Sequence, residues 1–240
     1  MSPSEQHPQR AAHRAAGRTG PPGWPEIVVG LAVLAVVAYG SGPLIITPLG
    51  LSPVAHGLAL GALSGIAGIA GFLAALGLRI RSLEAFGVRA TTLRWLLIGV
   101  GGGVLAFVLV RILGIVMFAL GIVPENIQES YTDAGSAGAW SVALSLVFLA
   151  LLTPLGEELI FRGVLTTALL RYGAVVAVVG SALVFALMHG LNAVFFTALI
   201  VGLVAGELRR RSGSIWPAVA AHAVNNALAQ AIALALAGVL

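Results

Sequence analysis

A chain of 240 residues with 59% hydrophobic and only 9% charged residues, and a mean hydropathy of +1.02, carries too much apolar surface to face water. That composition excludes a soluble globular domain and implies a polytopic membrane protein. The net charge of +4 does not point to nucleic acid: all 13 basic residues are arginines, most of them dispersed among the loops between hydrophobic stretches, where they act as topology signals. With no cysteine, disulfides, thiolate zinc sites and a cysteine nucleophile are excluded too.

In chain order, residues 1–24 are polar, rich in Pro, Gly and Arg and poor in acids, which predicts a disordered tail. No small-residue cleavage pattern follows the first apolar stretch, so that stretch is expected to be a retained anchor rather than a removed signal peptide. Hydrophobic segments are expected at Ile27–Ile46, Val54–Leu78, Trp95–Leu120, Trp140–Leu170, Ala174–His189, Leu191–Glu207 and Ile215–Val239. Most approach the roughly 20 residues that cross a bilayer. The fold class is therefore an all-α membrane helix bundle of about seven transmembrane helices. The two short neighbours around Gly190 also read as a broken pair, and an eighth span would move the C-terminus to the other side. The chain divides into the tail, N-terminal transmembrane helices over 25–139 and a core over 140–240.

If the spans alternate, the arginine-bearing segments (Arg10, Arg14 and Arg18; Arg79, Arg81, Arg89 and Arg94; Arg171; Arg209, Arg210 and Arg211) all fall on one side. The other side receives the Thr47–Pro53 turn and an acidic loop with Glu125, Glu129 and Asp133. The positive-inside rule puts the N-terminus and the arginine loops in the cytoplasm. No inverted repeat of the transporter kind is visible.

The polar side chains inside the spans are few: Arg111, Glu157, Glu158, Arg162, His189, His222, Asn225 and Asn226, with His56 near the end of one span. Carboxylates are costly in hydrocarbon and by default mark a functional site. At 1.5 Å per residue, Glu157 lies roughly 21 Å above Arg171, His189 about 24 Å above Gly173 and His222 about 16 Å above Arg211. Three different helices thus bring an acid and two imidazoles to one slab of membrane. Glu158 and Arg162, four apart, can pair along one helix face. His222 and Asn226 share a face, as do Phe185 and His189. Gly202 and Gly206 form a GxxxG that admits a neighbouring helix.

Peptide hydrolysis needs a water to be deprotonated and donors for the developing oxyanion, and this inventory supplies both. A serine chemistry needs a GxSG-like nucleophile, which is absent. An aspartyl chemistry needs two aspartates, and Asp133 stands alone. Neither His189 nor His222 begins an HExxH zinc motif. A glutamate and histidine type remains.

Glu157-Glu158-Leu-Ile-Phe-Arg162 resembles an EExxxR motif, Phe185-Ala-Leu-Met-His189 an FxxxH motif and His222-Ala-Val-Asn-Asn226 an HxxxN motif. Their order resembles that of the CAAX protease and bacteriocin-processing family (CPBP, also called Abi), over about Trp140–Leu240. The segment Gly206-Glu-Leu-Arg-Arg-Arg-Ser-Gly-Ser-Ile-Trp is similar to the loop that family carries before its last motif. The resemblance implies an intramembrane endopeptidase, often called a metalloprotease. It implies Glu157 as general base, His189 as holder of the water, His222 and Asn226 as oxyanion donors, and Glu158 as an assisting group. Arg162 would be the partner of Glu158, and Phe185 a supporting residue. A divalent ion such as zinc would fall to Glu157, His189 and His222; a metal-independent water is slightly preferred, because three ligands from three helices do not by themselves prove an ion, and both alternatives stay open.

The expected partners are membrane lipid and a peptide or protein substrate, CAAX-type or a leader peptide, in a bacterial-type cell membrane. Two competing readings stand beside this one. A catalytically silent scaffold or bacteriocin-immunity protein of the same family would keep the motifs, and a proton-coupled transporter also uses buried Glu and His. Outside the motifs, His56 reads as a helix contact, Arg111 as a packing or counter-ion residue, and Asn225 as packing beside Asn226.

Overall fold

The computed structural model describes residues 20–122 and 129–239. The expected disordered tail lies outside the described residues as far as residue 19, as do Arg10, Arg14, Arg18 and Glu125. The last few tail residues differ from expectation. Pro22 is fully buried, its carbonyl accepts from Arg171, and Trp24 already opens the first helix.

The described residues are helical, with no strand among them. Helix α1 spans Trp24–Leu49, α2 Pro53–Leu78, α3 Leu93–Ala119, the short α4 Glu129–Asp133, and α5 Ala139–Tyr172. Then come α6 over Ala174–Leu187, α7 over Ala193–Ser212 and α8 over Trp216–Leu236. Starts are set by residues that offer a side-chain acceptor to orphan N–H groups: Ser52 for Ala55, Thr92 for Trp95 and Asn192 for Val194. Stops fall at glycines in the left-handed region, Gly50 (φ 58°) and Gly213 (φ 69°).

Five helices, α1, α2, α3, α5 and α8, are long and apolar enough to cross a membrane. Their outward faces are apolar, with Leu44 77% and Phe118 74% exposed, as a lipid-facing surface requires. The other two expected spans exist as helices but differ in kind. The 14 residues of α6 reach only about 21 Å. Helix α7 runs five residues past its apolar stretch, because Glu207 pairs with Arg210 at 2.7 Å and with Arg211, and cations suit a helix C-terminus. The two are joined at Gly190 (φ 85°) and packed on each other, so the broken-pair reading describes them well.

Helix α5 is central and touches α1, α2, α6, α7 and α8; α3 closes the far side against α7 and α8. Lipid is as apolar as leucine, so close packing rather than water exclusion must hold such helices together. The sequence meets that need with small residues. On α2, a Cβ at Gly65 would come 2.6 Å from the Leu152 carbonyl oxygen, and one at Gly68 would collide with the backbone of Gly156. On α7, a Cβ at Gly202 would lie 3.0 Å from Ala182 and one at Gly206 3.4 Å from Val178, so the GxxxG faces α6.

The arginine-bearing loops gather at one end of the bundle. Arg89 donates to the Gly213 carbonyl at 2.8 Å, Ile215 N–H to the Gly87 carbonyl at 3.0 Å, and Arg171 to Pro22. There Arg79 forms a two-pronged pair with the fully buried Glu26, at 2.6 and 2.9 Å. That carboxylate holds the Arg79 guanidinium above its ordinary proton affinity.

Gly68→Ala is expected to force α2 and α5 apart and lower the unfolding midpoint in detergent by roughly 3–10 °C. Gly101→Ala, where a Cβ meets nothing within 4 Å, should leave the midpoint unchanged or slightly higher.

Candidate active site

The geometry of the site begins with a fault in α5. Over Leu146–Leu152 and again over Leu159–Thr166 the helix widens into π turns, so the i to i+4 ladder is lost on both sides of Glu157 and Glu158. The Thr153 N–H bonds to the Phe148 carbonyl, five residues back. The next donor in that pattern would be residue 154, a proline without an N–H, so the Leu149 carbonyl is left without a helical partner. Asn226 fills the gap by donating its Nδ2 to Leu149 O at 3.0 Å, which ties α8 to α5. Asn225 in turn donates to Asn226 Oδ1 at 3.1 Å. Asn225 therefore orients the amide of Asn226.

Glu158 is fully buried and joined to two partners. Its Oε1 accepts from His222 Nδ1 at 2.9 Å, and its Oε2 lies 3.1 Å from Arg162 Nε, an ion pair without hydrogen-bond alignment. Arg162 is also fully buried. It donates from Nη2 to the Gly202 carbonyl at 3.1 Å and rests 4.8 Å from the centre of the Phe185 ring. Phe185 is the hub of the aromatic packing, edge-to-face with Phe161, His189 and His222 at 4.8, 4.7 and 5.7 Å. Because a carboxylate only accepts, His222 carries its hydrogen on Nδ1, and Nε2 is turned towards Glu157, 3.7 Å from its Oε2. His189 likewise gives its Nδ1 hydrogen to the Phe185 carbonyl at 2.8 Å, which leaves its Nε2 as an acceptor.

Glu157, Phe185, His189, His222, Asn225 and Asn226 all line one cavity of ≈ 280 Å³. The structure thus brings together the residues that sequence reasoning selected. Glu158 and Arg162 sit behind that lining. Glu157 and His189 also line a second, largely apolar cavity of ≈ 300 Å³ between α1, α2 and α5, with Leu34, Tyr39 and Leu63 in its wall. His56 lies outside both linings, whereas Arg111 lines the first.

Sequence reasoning missed several contributors. Ser64 donates its hydroxyl to Glu157 Oε1 at 3.0 Å, and can do so only because the glycines of α2 let it approach α5. The spacing of Gly57, Gly61, Gly65, Gly68 and Gly71 marks that face in the sequence, and Ser64 stands within it. Thr153 donates to the Gly61 carbonyl at 2.9 Å along the same contact. Tyr131 of α4 and Gln230 of α8 line the far end of the cavity, where Gln230 Nε2 donates to the Tyr131 carbonyl at 2.9 Å. The buried Glu26 was also unforeseen.

Among the described residues no group of three His, Asp or Glu side chains is placed to hold a metal ion. The Nδ1 atoms of His189 and His222 are engaged by the Phe185 carbonyl and by Glu158, which leaves both Nε2 atoms free to accept. With a Glu157 oxygen, these are the atoms of the expected zinc set that would ligate a divalent ion.

Residues 139–228, the segment that carries all three motifs, match the family described as Type II CAAX prenyl endopeptidase Rce1-like, in agreement with the resemblance of those motifs. Neither a curated protein nor a solved structure matches the chain.

Removing one partner of a buried ion pair leaves a lone charge, so Arg162→Met is expected to destabilise the fold by about 3–5 kcal/mol. Glu158→Gln combined with Arg162→Met should cost less than Arg162→Met alone. Chemical unfolding of the three variants in detergent measures both.

Proposed function

We propose that the chain is an intramembrane endopeptidase that hydrolyses a peptide bond of a membrane-associated substrate with a water activated by Glu157. The supporting observation is that Glu157 of α5, His189 of the turn after α6, and His222 and Asn226 of α8 line one cavity within the segment matching the CAAX endopeptidase family. Glu157 Oε2 takes a proton from the water, which is held between that oxygen and the acceptor Nε2 of His189. Ser64 fixes the other carboxylate oxygen and so aims Oε2 at the cavity.

As the water adds to the scissile carbonyl, negative charge moves onto its oxygen. A protonated His222, with its Nδ1 hydrogen on Glu158, offers Nε2–H to that oxyanion. Asn226 offers its second amide hydrogen, the first being held by Leu149. Glu158 supports the charge on His222, and Arg162 in turn balances Glu158. The proton on Glu157 then passes to the leaving amine. The arginine-rich end faces the cytoplasm by the positive-inside rule, so a substrate enters from that side or laterally from the bilayer.

The scaffold and transporter readings require no turnover. Purified protein incubated with a prenylated CAAX-type peptide is expected to release a C-terminal fragment. Glu157→Gln should lower kcat by roughly 10²–10⁴-fold and His222→Ala or Asn226→Ala by roughly 10²–10³-fold. Ser64→Ala should retain most activity. If no fragment is released the hydrolase assignment fails, and turnover no slower with Glu157→Gln overturns Glu157 as its base. On the metal-independent reading, dialysis against a chelator should leave turnover unchanged, and a loss that zinc restores would reverse that part of the mechanism.

A further inference from the structure

Among the described residues, Arg111 is the one cation of the cavity that the proposed reaction does not use. It stands within α3, 18 residues beyond Leu93 and so about 27 Å along the helix. Among the described residues no carboxylate pairs with it, and its recorded charge contact is the face of Phe107 at 5.3 Å. Arg111 also lies about 12 Å from the Ala119 end and is exposed, and a guanidinium inside a span is costly without an anion or water-filled space beside it. It has the space, because it lines the same cavity as Glu157 and His222.

Its position relative to the reacting groups follows from the packing of α3 on α8. A Cβ on Gly99 would lie 3.0 Å from Pro217 Cα, and one on Gly103 would meet Ala221 and, at 2.8 Å, Val224. Gly99 with Pro217 and Gly103 with Ala221 give parallel helices with a constant offset of 118 residues, which sets Arg111 level with Ala229, itself a wall residue of the cavity. Ala229 follows His222 by seven residues, roughly 10 Å along the axis. An extended peptide advances about 3.3–3.6 Å per residue, so about three residues fit between a carbonyl at His222 and a group at Arg111.

We propose that Arg111 is the receptor for the free α-carboxylate at the substrate's C-terminus. Its planar fork of N–H donors matches a carboxylate in two-pronged geometry, and the binding fixes the cut at a set distance from the chain end. Arg111 is thus a specificity-determining residue, and the ligand class is a peptide with an unblocked C-terminus. This assignment rests on the endopeptidase reading, because only that reading brings a peptide into the cavity.

The test uses full-length protein carrying Glu157→Gln and a fluorescein-labelled, prenylated CAAX-type peptide made as the free acid and as the C-terminal amide. The acid is expected to bind roughly ten- to a hundredfold more tightly than the amide. In the Arg111→Gln, Glu157→Gln protein both should bind with the amide's affinity, and Arg111→Lys should restore part of the preference. Unchanged amide binding in the Arg111 variants shows that they are folded. Equal affinity for acid and amide, a preference that survives Arg111→Gln, or no binding of either form overturns the assignment. So does an amidated peptide ending in glutamate that binds as well as the acid, because the receptor would then serve a side-chain carboxylate. Cleavage by the protein with Glu157 intact reports separately on the hydrolase: no turnover together with an intact acid preference would sink the hydrolysis and leave the receptor standing.

Discussion

The bridge that Glu158 makes between Arg162 and His222 is the constraint on which the site depends. A carboxylate with no exposure to solvent survives charged only if its oxygens are engaged, and here one faces an imidazole and the other a guanidinium. The same bridge fixes three helices relative to one another. Arg162 belongs to α5 and reaches α7 at the Gly202 carbonyl, and His222 belongs to α8. Phe185 of α6 is packed under the guanidinium and beside both histidines. Charge compensation and tertiary packing are therefore one arrangement, and the orientation of His222 Nε2 towards Glu157 is its consequence.

Irregularity in α5 serves that arrangement. A regular helix through Pro154 would strand the Ala150 carbonyl, one residue further along α5 than the one Asn226 reaches. The widened turn instead strands the Leu149 carbonyl, and Asn226 bonds to it. Thr166 and Thr167 play a comparable part in the second widened stretch, donating to the carbonyls of Phe161 and Arg162 at 2.9 Å each. In a membrane, where no water can satisfy these groups, such side-chain substitutes let a helix depart from its ladder at a functional site.

The two cavities meet at Glu157 and His189, and their walls differ. Arg111, Gln230 and the paired asparagines face one, while Leu34, Leu63 and Met188 face the other. A substrate with a polar chain end and an apolar attachment has a separate wall for each, with the proposed base where they join. Tyr39 fastens the junction from the α1 side by donating to the Met188 carbonyl. Helices outside the family-matched segment thus supply half of the surroundings of the site.

Much of this was legible in the linear chain. Hydropathy fixed seven apolar helices, mostly to within a few residues, because crossing hydrocarbon demands an uninterrupted apolar stretch. The cost of charge in lipid singled out Glu157, Glu158, Arg162, His189 and His222, and helical spacing paired Glu158 with Arg162. Contacts between distant helices could not be read that way. Ser64 reaches Glu157 only through the glycine-mediated approach of α2, and Asn226 meets Leu149 only because π turns shift the register at Pro154. Arg111, which looked like a packing residue by position, faces the cavity because α3 and α8 run at a constant offset. Burial cost is a property of each residue and can be read along a sequence. The direction a side chain faces is set by which helices touch, and only the tertiary structure decides that.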